Sequence, residues 1–263
     1  VRFAPAHRGG AGPPLLLLHG FTDTWRTWEP VLPALEQRFD VLALTLAGHA
    51  GGPPLEDDGD PEAAIVDAVE AALDEVGWEA PAIAGNSLGG YVALHLAARG
   101  RARAVVALAP AGGWQAEDPA IAETLGYFRV MARLVRDAAP QAEHIAATAA
   151  GRARSTAAFA STAEHLSPDL VAGFILGAAA CEVGPLIAHA EQRGWSIDAA
   201  AVGCPVRLVW GTDDRLLRLP PAARRFREEW FPQAEWIELE GAGHCPQLDH
   251  PLETAELIAG FAA

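Results

Sequence analysis

Five consecutive residues, Gly85-Asn86-Ser87-Leu88-Gly89, set a serine between glycines two positions away on either side. This spacing suits a nucleophilic serine on a tight strand-to-helix turn. The hydroxyl then projects from the end of the strand, and side chains at the two flanking positions would collide with the turn. The neighbouring sequence agrees, because residues 82–85 are small and apolar and 88–98 carry Leu88, Val92 and Leu96 in helical register. Ser155, Ser161, Ser167 and Ser196 have no such setting.

A serine hydroxyl is a weak nucleophile at neutral pH and needs a base held in one tautomer by a carboxylate. His244 is the expected base, since it closes the glycine-rich segment Glu240-Gly241-Ala242-Gly243-His244 directly after the apolar run 236–239. His250 precedes Pro251 at the start of a terminal helix, His95 falls within the helix after the serine, and His144, His165 and His189 lie in a helical stretch. Packed or solvated roles are expected for these. The carboxylate should leave another strand, and Gly211-Thr212-Asp213-Asp214 after 206–210 offers two aspartates, of which at least one is only a loop or capping residue. Developing negative charge on the substrate requires backbone N–H donors. Leu88 supplies one and Phe21, at the end of Leu18-His19-Gly20-Phe21, the other, with His19 bracing that loop.

These groups need a scaffold that brings distant loops to one edge. Runs at 15–18, 41–46, 82–85, 104–109, 206–210 and 236–239 are apolar throughout instead of alternating, the pattern of parallel strands covered on both faces. Helical segments lie between them; 61–76, for example, carries Ile65, Val69 and Leu73 on one face. The class is therefore α/β with a mostly parallel sheet. The alternation breaks from 113 to 200, which reads as helices only, with start signals at Asp118-Pro119 and Ser167-Pro168. Ile121, Leu125, Phe128, Phe174, Leu176 and Leu186 give this insertion apolar faces. Phe128 and Phe174, together with Cys245, are expected to line a pocket above Ser87. An apolar roof favours an uncharged acyl chain; anionic substrates would instead point to arginines such as Arg129, Arg133 or Arg152.

The chain of 263 residues is 51% hydrophobic and 20% charged, enough to bury a large core and too apolar for disorder. A formal net charge of −15 argues against nucleic acid and against an anionic membrane surface. No apolar run approaches the roughly 18 residues of a spanning helix. The N-terminus shows no basic segment followed by an apolar one, as a secretory signal would. Cys181, Cys204 and Cys245 are odd in number and unpaired in spacing, so neither a disulfide framework nor a metal site is expected and a reducing cytoplasm fits. No phosphate-cradling loop is present, and no cofactor is expected. Trp25 and Trp28 read as core anchors, and Gly51-Gly52-Pro53-Pro54 with Asp57, Asp58 and Asp60 as a solvated loop.

The segments Leu18-His19-Gly20-Phe21, Ala47-Gly48-His49, Gly85-Asn86-Ser87-Leu88-Gly89-Gly90, Trp210-Gly211-Thr212-Asp213-Asp214 and Gly241-Ala242-Gly243-His244 follow one another in an order that resembles the α/β-hydrolase superfamily, in its branch with a helical cap. The resemblance spans nearly the whole chain. It implies an α/β-hydrolase fold with a core of residues 1–112 and 201–263 and a cap of 113–200. It also implies a Ser87–His244–Asp214 triad, the register selecting Asp214 over Asp213. Two departures stand out: Thr45 replaces a common aspartate, and the short segment before residue 15 implies an incomplete leading hairpin. Relatives with aspartate at the nucleophile position, such as epoxide hydrolases and haloalkane dehalogenases, are set aside by Ser87. The expected activity is hydrolysis of carboxylic esters of small to medium apolar acids, with a small-molecule substrate and no nucleic-acid or membrane partner. The alternatives are a carbon–carbon hydrolase of ring-cleavage products, which Asn86 resembles, or a lyase, cyclase or ligand receptor on the same fold.

Overall fold

Four successive leucines at 15–18 are all fully buried, which is possible only where a strand is covered on both faces. Successive side chains of a strand point to opposite sides. Accordingly, Leu15 and Leu17 pack with Val41, Ala43 and Ile258. Leu16 and Leu18 pack on the other face with Val69, Leu73 and Val92. The computed structural model that shows this describes residues 3–55 and 60–262.

The strands are β1 (Ala6–Gly10), β2 (Pro14–Leu18), β3 (Asp40–Leu44), β4 (Ala82–Asn86), β5 (Ala104–Leu108), β6 (Val206–Gly211) and β7 (Glu235–Leu239). They form one sheet in the order β1-β3-β2-β4-β5-β6-β7. All pairs are parallel except β1 with β3. The chain thus has the α/β-hydrolase fold expected. The sheet has one strand more than the apolar runs mark. Ala-His-Arg-Gly-Gly at β1 has no apolar pattern, because this edge strand is held by main-chain pairing to β3.

The helices are α1 (Leu32–Leu35), α2 (Pro61–Glu75), α3 (Leu88–Ala98), α4 (Pro119–Ala138), α5 (Ala142–Ala147), α6 (Ala149–Thr156), α7 (Pro168–Ala180), α8 (Val183–Arg193), α9 (Pro246–Asp249) and α10 (Pro251–Ala262). Helices α2 and α3 cover one face of the sheet, and α1 and α10 the other. The starts of α4 and α7 are capped as anticipated, with Asp118 accepting from Ala120 N–H and Ser167 from Leu170 N–H. Asp60 caps α2 by accepting from Glu62 and Ala63 N–H, so it is a helix-start residue and not free loop; Asp57 and Asp58 lie outside the described residues. Helices α4–α8 all fall between β5 and β6. Among the described residues, no single helix is long and apolar enough to cross a membrane.

Reversal of winding direction between β2 and β4 leaves a crevice at the carboxyl ends of these neighbouring strands. The loops after β2, β4, β6 and β7 all leave this carboxyl edge of the sheet. These loops carry the residues singled out from the sequence.

Candidate active site

Ser87 follows the last residue of β4 and precedes the first of α3, with φ 55° and ψ −117°. A non-glycine residue with this backbone is strained by on the order of 1–3 kcal/mol and must be held by its surroundings. The holding is visible. Ser87 N–H donates to Leu108 O at 2.9 Å, and its carbonyl accepts from Tyr91 and Ala111 N–H at 3.1 and 3.0 Å. The flanking glycines permit the turn for a steric reason: a Cβ on Gly85 would lie 2.2 Å from Gly89 O, and one on Gly89 2.2 Å from Leu18 O. Helix α3 can therefore approach the sheet closely enough to start at the serine.

His244 stands on the loop after β7, buried, with Nδ1 2.8 Å from Asp214 Oδ2. The other oxygen of Asp214 accepts from Leu216 and Leu217 N–H at 2.9 and 2.7 Å. Three donors thus orient this buried carboxylate, which fixes the proton on Nδ1 and leaves Nε2 as the free face of the ring. Nε2 is buried without a hydrogen-bond partner among the described residues. Asp213 is exposed, and its N–H is spent on Ala242 O. Of the two aspartates, only Asp214 reaches the imidazole.

Ser87 and His244 border the same cavity of about 730 Å³. They make no hydrogen bond to each other in this structure, a common situation before substrate closes such a site. Leu88, as the first residue of α3, has an N–H that no helical carbonyl can accept. Among the described residues the N–H groups of Phe21 and Leu88 have no acceptor. His19 braces the Phe21 loop: its Nε2 accepts from Leu46 N–H at 2.9 Å and its Nδ1 donates to Gly20 O at 2.7 Å. Burial, with His49 beside it, holds His19 well below the usual imidazole range, so the ring stays neutral and the tautomer is set.

Phe128, Phe174 and Cys245 all border the cavity, while Leu176 packs within the helical layer instead. Ile121, Leu125 and Leu186 border a second, smaller space that Ser87 also borders. None of Arg129, Arg133 and Arg152 borders the large cavity; Arg154 does. Arg129 is paired with Glu191, and Arg152 donates to Ala146 O, which uses them structurally. Burial pushes the Cys245 thiol well above its usual range, helped by the nearby Asp23, Asp249 and Asp214 carboxylates. It is a protonated donor to Asn86 Oδ1 at 3.2 Å, not a competing nucleophile.

Two features escape the sequence pattern. Asp23 borders the cavity two residues beyond Phe21, and burial raises its carboxyl to about 7 against the opposing effect of Thr24 N–H, Thr27 and Arg26. Its place on the Phe21 loop was the available signal. Asp249 accepts from Gly243 N–H at 2.7 Å with one oxygen and from Ser161 and Thr162 N–H at 2.8 Å with the other. It thereby ties the His244 loop to the segment after α6. Nothing in the spacing of Asp249 announces this, because Ser161 and Thr162 lie some ninety residues away.

Residues 15–257 match the model of the alpha/beta hydrolase family. "Epoxide hydrolase EphH" of Mycobacterium tuberculosis is 32% identical over 200 residues, which cover 76% of this chain and 94% of that one. "Pimeloyl-[acyl-carrier protein] methyl ester esterase" of Aeromonas hydrophila is 29% identical over 270 residues, covering 97% of each. Among solved structures, the meta-cleavage product hydrolase CumD from Pseudomonas fluorescens IP01 superposes with a TM-score of 0.70 at 19% identity, covering 97% of this chain and 92% of that one. Three similar proteins carry three different reactions, so likeness gives hydrolase chemistry without a bond type.

Proposed function

The chain belongs to the alpha/beta hydrolase family and is a hydrolase, and from this premise we propose that it cleaves carboxylic esters of small to medium apolar acids through Ser87, His244 and Asp214. The observation that carries this reading is the buried His244–Asp214 pair, in which His244, its Nε2 unpartnered, borders the same cavity as the strained serine. Ser87 Oγ attacks the ester carbonyl carbon while His244 Nε2 takes its proton. Asp214 stabilises the imidazolium without taking up a proton. The N–H groups of Phe21 and Leu88 hold the oxyanion. Collapse expels the alcohol, protonated by His244, and a water activated by the same base then releases the acid from Ser87. Residues 113–200 serve as the cap over a core of 1–112 and 201–263, excluding water and so strengthening the oxyanion contacts.

Residue chemistry favours esters over the other reactions. A serine opening an epoxide would form an ether, which has no carbonyl for water to attack, so that route ends in a dead enzyme. Asn86, the residue shared with carbon–carbon hydrolases, spends its amide on Leu108 O, His244 O, Cys245 and Gln247 and has no bond left for an enol-acid. Arg154 is the cavity group suited to such an acid. Ring-cleavage dienones therefore belong in the same test. A panel of p-nitrophenyl esters of graded chain length, run beside those dienones, should show ester turnover that a serine-directed phosphonate abolishes, with the adduct mapped to Ser87. Turnover of dienones alone, or an adduct elsewhere, would overturn the reading.

A further inference from the structure

Ser87 stands between two cavities, and Phe21 and Phe128 border both of them. The rings of this pair meet edge to face with centroids 4.9 Å apart, forming a partition. On one side lie about 730 Å³. The other side holds only about 40 Å³, walled by Leu88, Trp114, Leu125, Ile187 and Trp195. The large cavity is more than ten times the size of the small one, so the small one suits a short group and not an extended chain. Trp114 and Leu125 are 4% and 7% exposed, so these walls are packed from behind and do not readily retreat. His244 borders the large cavity and not the small one.

Acyl transfer gives this asymmetry a direction. Once Oγ has added to the carbonyl carbon, that carbon carries an oxyanion, an alkoxy oxygen and the acyl chain. The oxyanion points at the backbone donors. The alkoxy oxygen must lie on the histidine side, because the carbon–oxygen bond breaks as the imidazolium Nε2–H protonates it. The acyl chain is left with the side away from His244.

Resting on the ester-hydrolase reading, we infer that the small cavity is the acyl subsite and the large cavity the alcohol subsite, so that the substrates are acetyl- or propionyl-type esters of bulky, largely apolar alcohols. The Oγ–carbon bond forms on addition and the carbon–alkoxy bond breaks on collapse of the adduct, while the proton passes from Ser87 through His244 to the departing alcohol. Water then frees the short acid. On this assignment Asp23 and Arg154 face the alcohol, where a hydroxyl or carbonyl substituent would find them.

Two isomeric esters separate the arrangements: octyl acetate has the short acyl group, methyl nonanoate the long one. The purified full chain should hydrolyse octyl acetate with kcat/KM at least about tenfold higher. Leu125→Ala, and independently Leu186→Ala should the first fold poorly, should raise the hexanoate-to-acetate ratio on a common alcohol by about tenfold, leaving the order of preference among alcohols as in the unsubstituted chain. Preference for methyl nonanoate, or a variant that broadens the alcohol range and not the acyl range, overturns the assignment while the ester reading stands. Turnover of neither ester, with no phosphonate adduct on Ser87, removes the ester reading and this assignment together.

Discussion

The side-chain amide of Asn86 donates to the backbone carbonyl of His244 across 2.9 Å, tying the loop that carries the imidazole to the strand that ends at the serine. The same amide donates to Leu108 O at 3.1 Å, and its oxygen accepts from Cys245 Sγ and Gln247 Nε2, each at 3.2 Å. One buried side chain thus joins β4, β5, the His244 loop and α9. Such a network is rigid because every group in it would be costly to leave unpaired.

Asn86→Ala should therefore act on positioning. The His244 carbonyl and the Cys245 thiol lose this partner, while Leu108 O keeps Ser87 N–H and Gln247 Nε2 keeps Thr27 Oγ1, which should lower stability by about 1–3 kcal/mol. Turnover should fall at least about tenfold as the imidazole drifts, with KM little changed. Asn86→Asp, which cannot donate to the His244 carbonyl, should not restore kcat. Steady-state kinetics with thermal melts check this; a KM effect at full kcat would instead make Asn86 a substrate contact.

Ser87→Ala should lose about a million-fold in turnover while keeping its fold, since the oxyanion donors remain. Alanine inherits the strained φ of 55° and glycine does not. Ser87→Gly should accordingly be more stable than Ser87→Ala by about 1 kcal/mol. Equal unfolding midpoints in denaturant would show that the elbow stores no strain.

The two aspartates should rank sharply. Asp214→Asn removes the charge from a buried imidazole partner that already accepts from two backbone amides, and should cost about four orders of magnitude in kcat. Asp213→Asn alters an exposed side chain and should stay within a factor of about three. Measured kcat values for the two variants decide the matter, and the reverse ranking would move the acid of the triad to Asp213.

Asp23 should give the fold a pH signature. Its carboxyl is raised to about 7 in the folded chain, mainly by burial, from an ordinary value of 3.8. The folded state therefore holds a proton that the unfolded state has released between about pH 4 and 7, and stability falls as pH rises through that window. Asp23→Asn removes this term, so between pH 5 and 8 the unsubstituted chain should lose about 2 kcal/mol more than the variant. Denaturant titrations at both pH values check the difference, in which the shared effect of net charge cancels. Parallel pH dependence in the two proteins would mean that Asp23 is ionised throughout.

Much of this protein was legible without coordinates, for reasons that are local in the chain. Apolar runs such as 15–18 and 206–210 mark strands buried on both faces, and the glycines beside Ser87 mark a turn because a Cβ at either position has nowhere to go. Asp118 and Ser167 announce helix starts because a cap bonds to amides two or three residues away. Edge strand β1 was not legible, since main-chain pairing to β3 needs no side-chain pattern. The family resemblance placed Asp214 ahead of its neighbour, but tertiary structure supplies the physical reason: both leave the same loop, and burial turns Asp214 inward to His244 and leaves Asp213 in solvent. Tertiary structure alone joins Asn86 to His244, Asp249 to Ser161 and Thr162, and Asp23 to the large cavity, and it divides the space around Ser87 in two. Each of these depends on the closure of contacts between residues far apart in sequence, and periodicity and spacing carry no record of that distance.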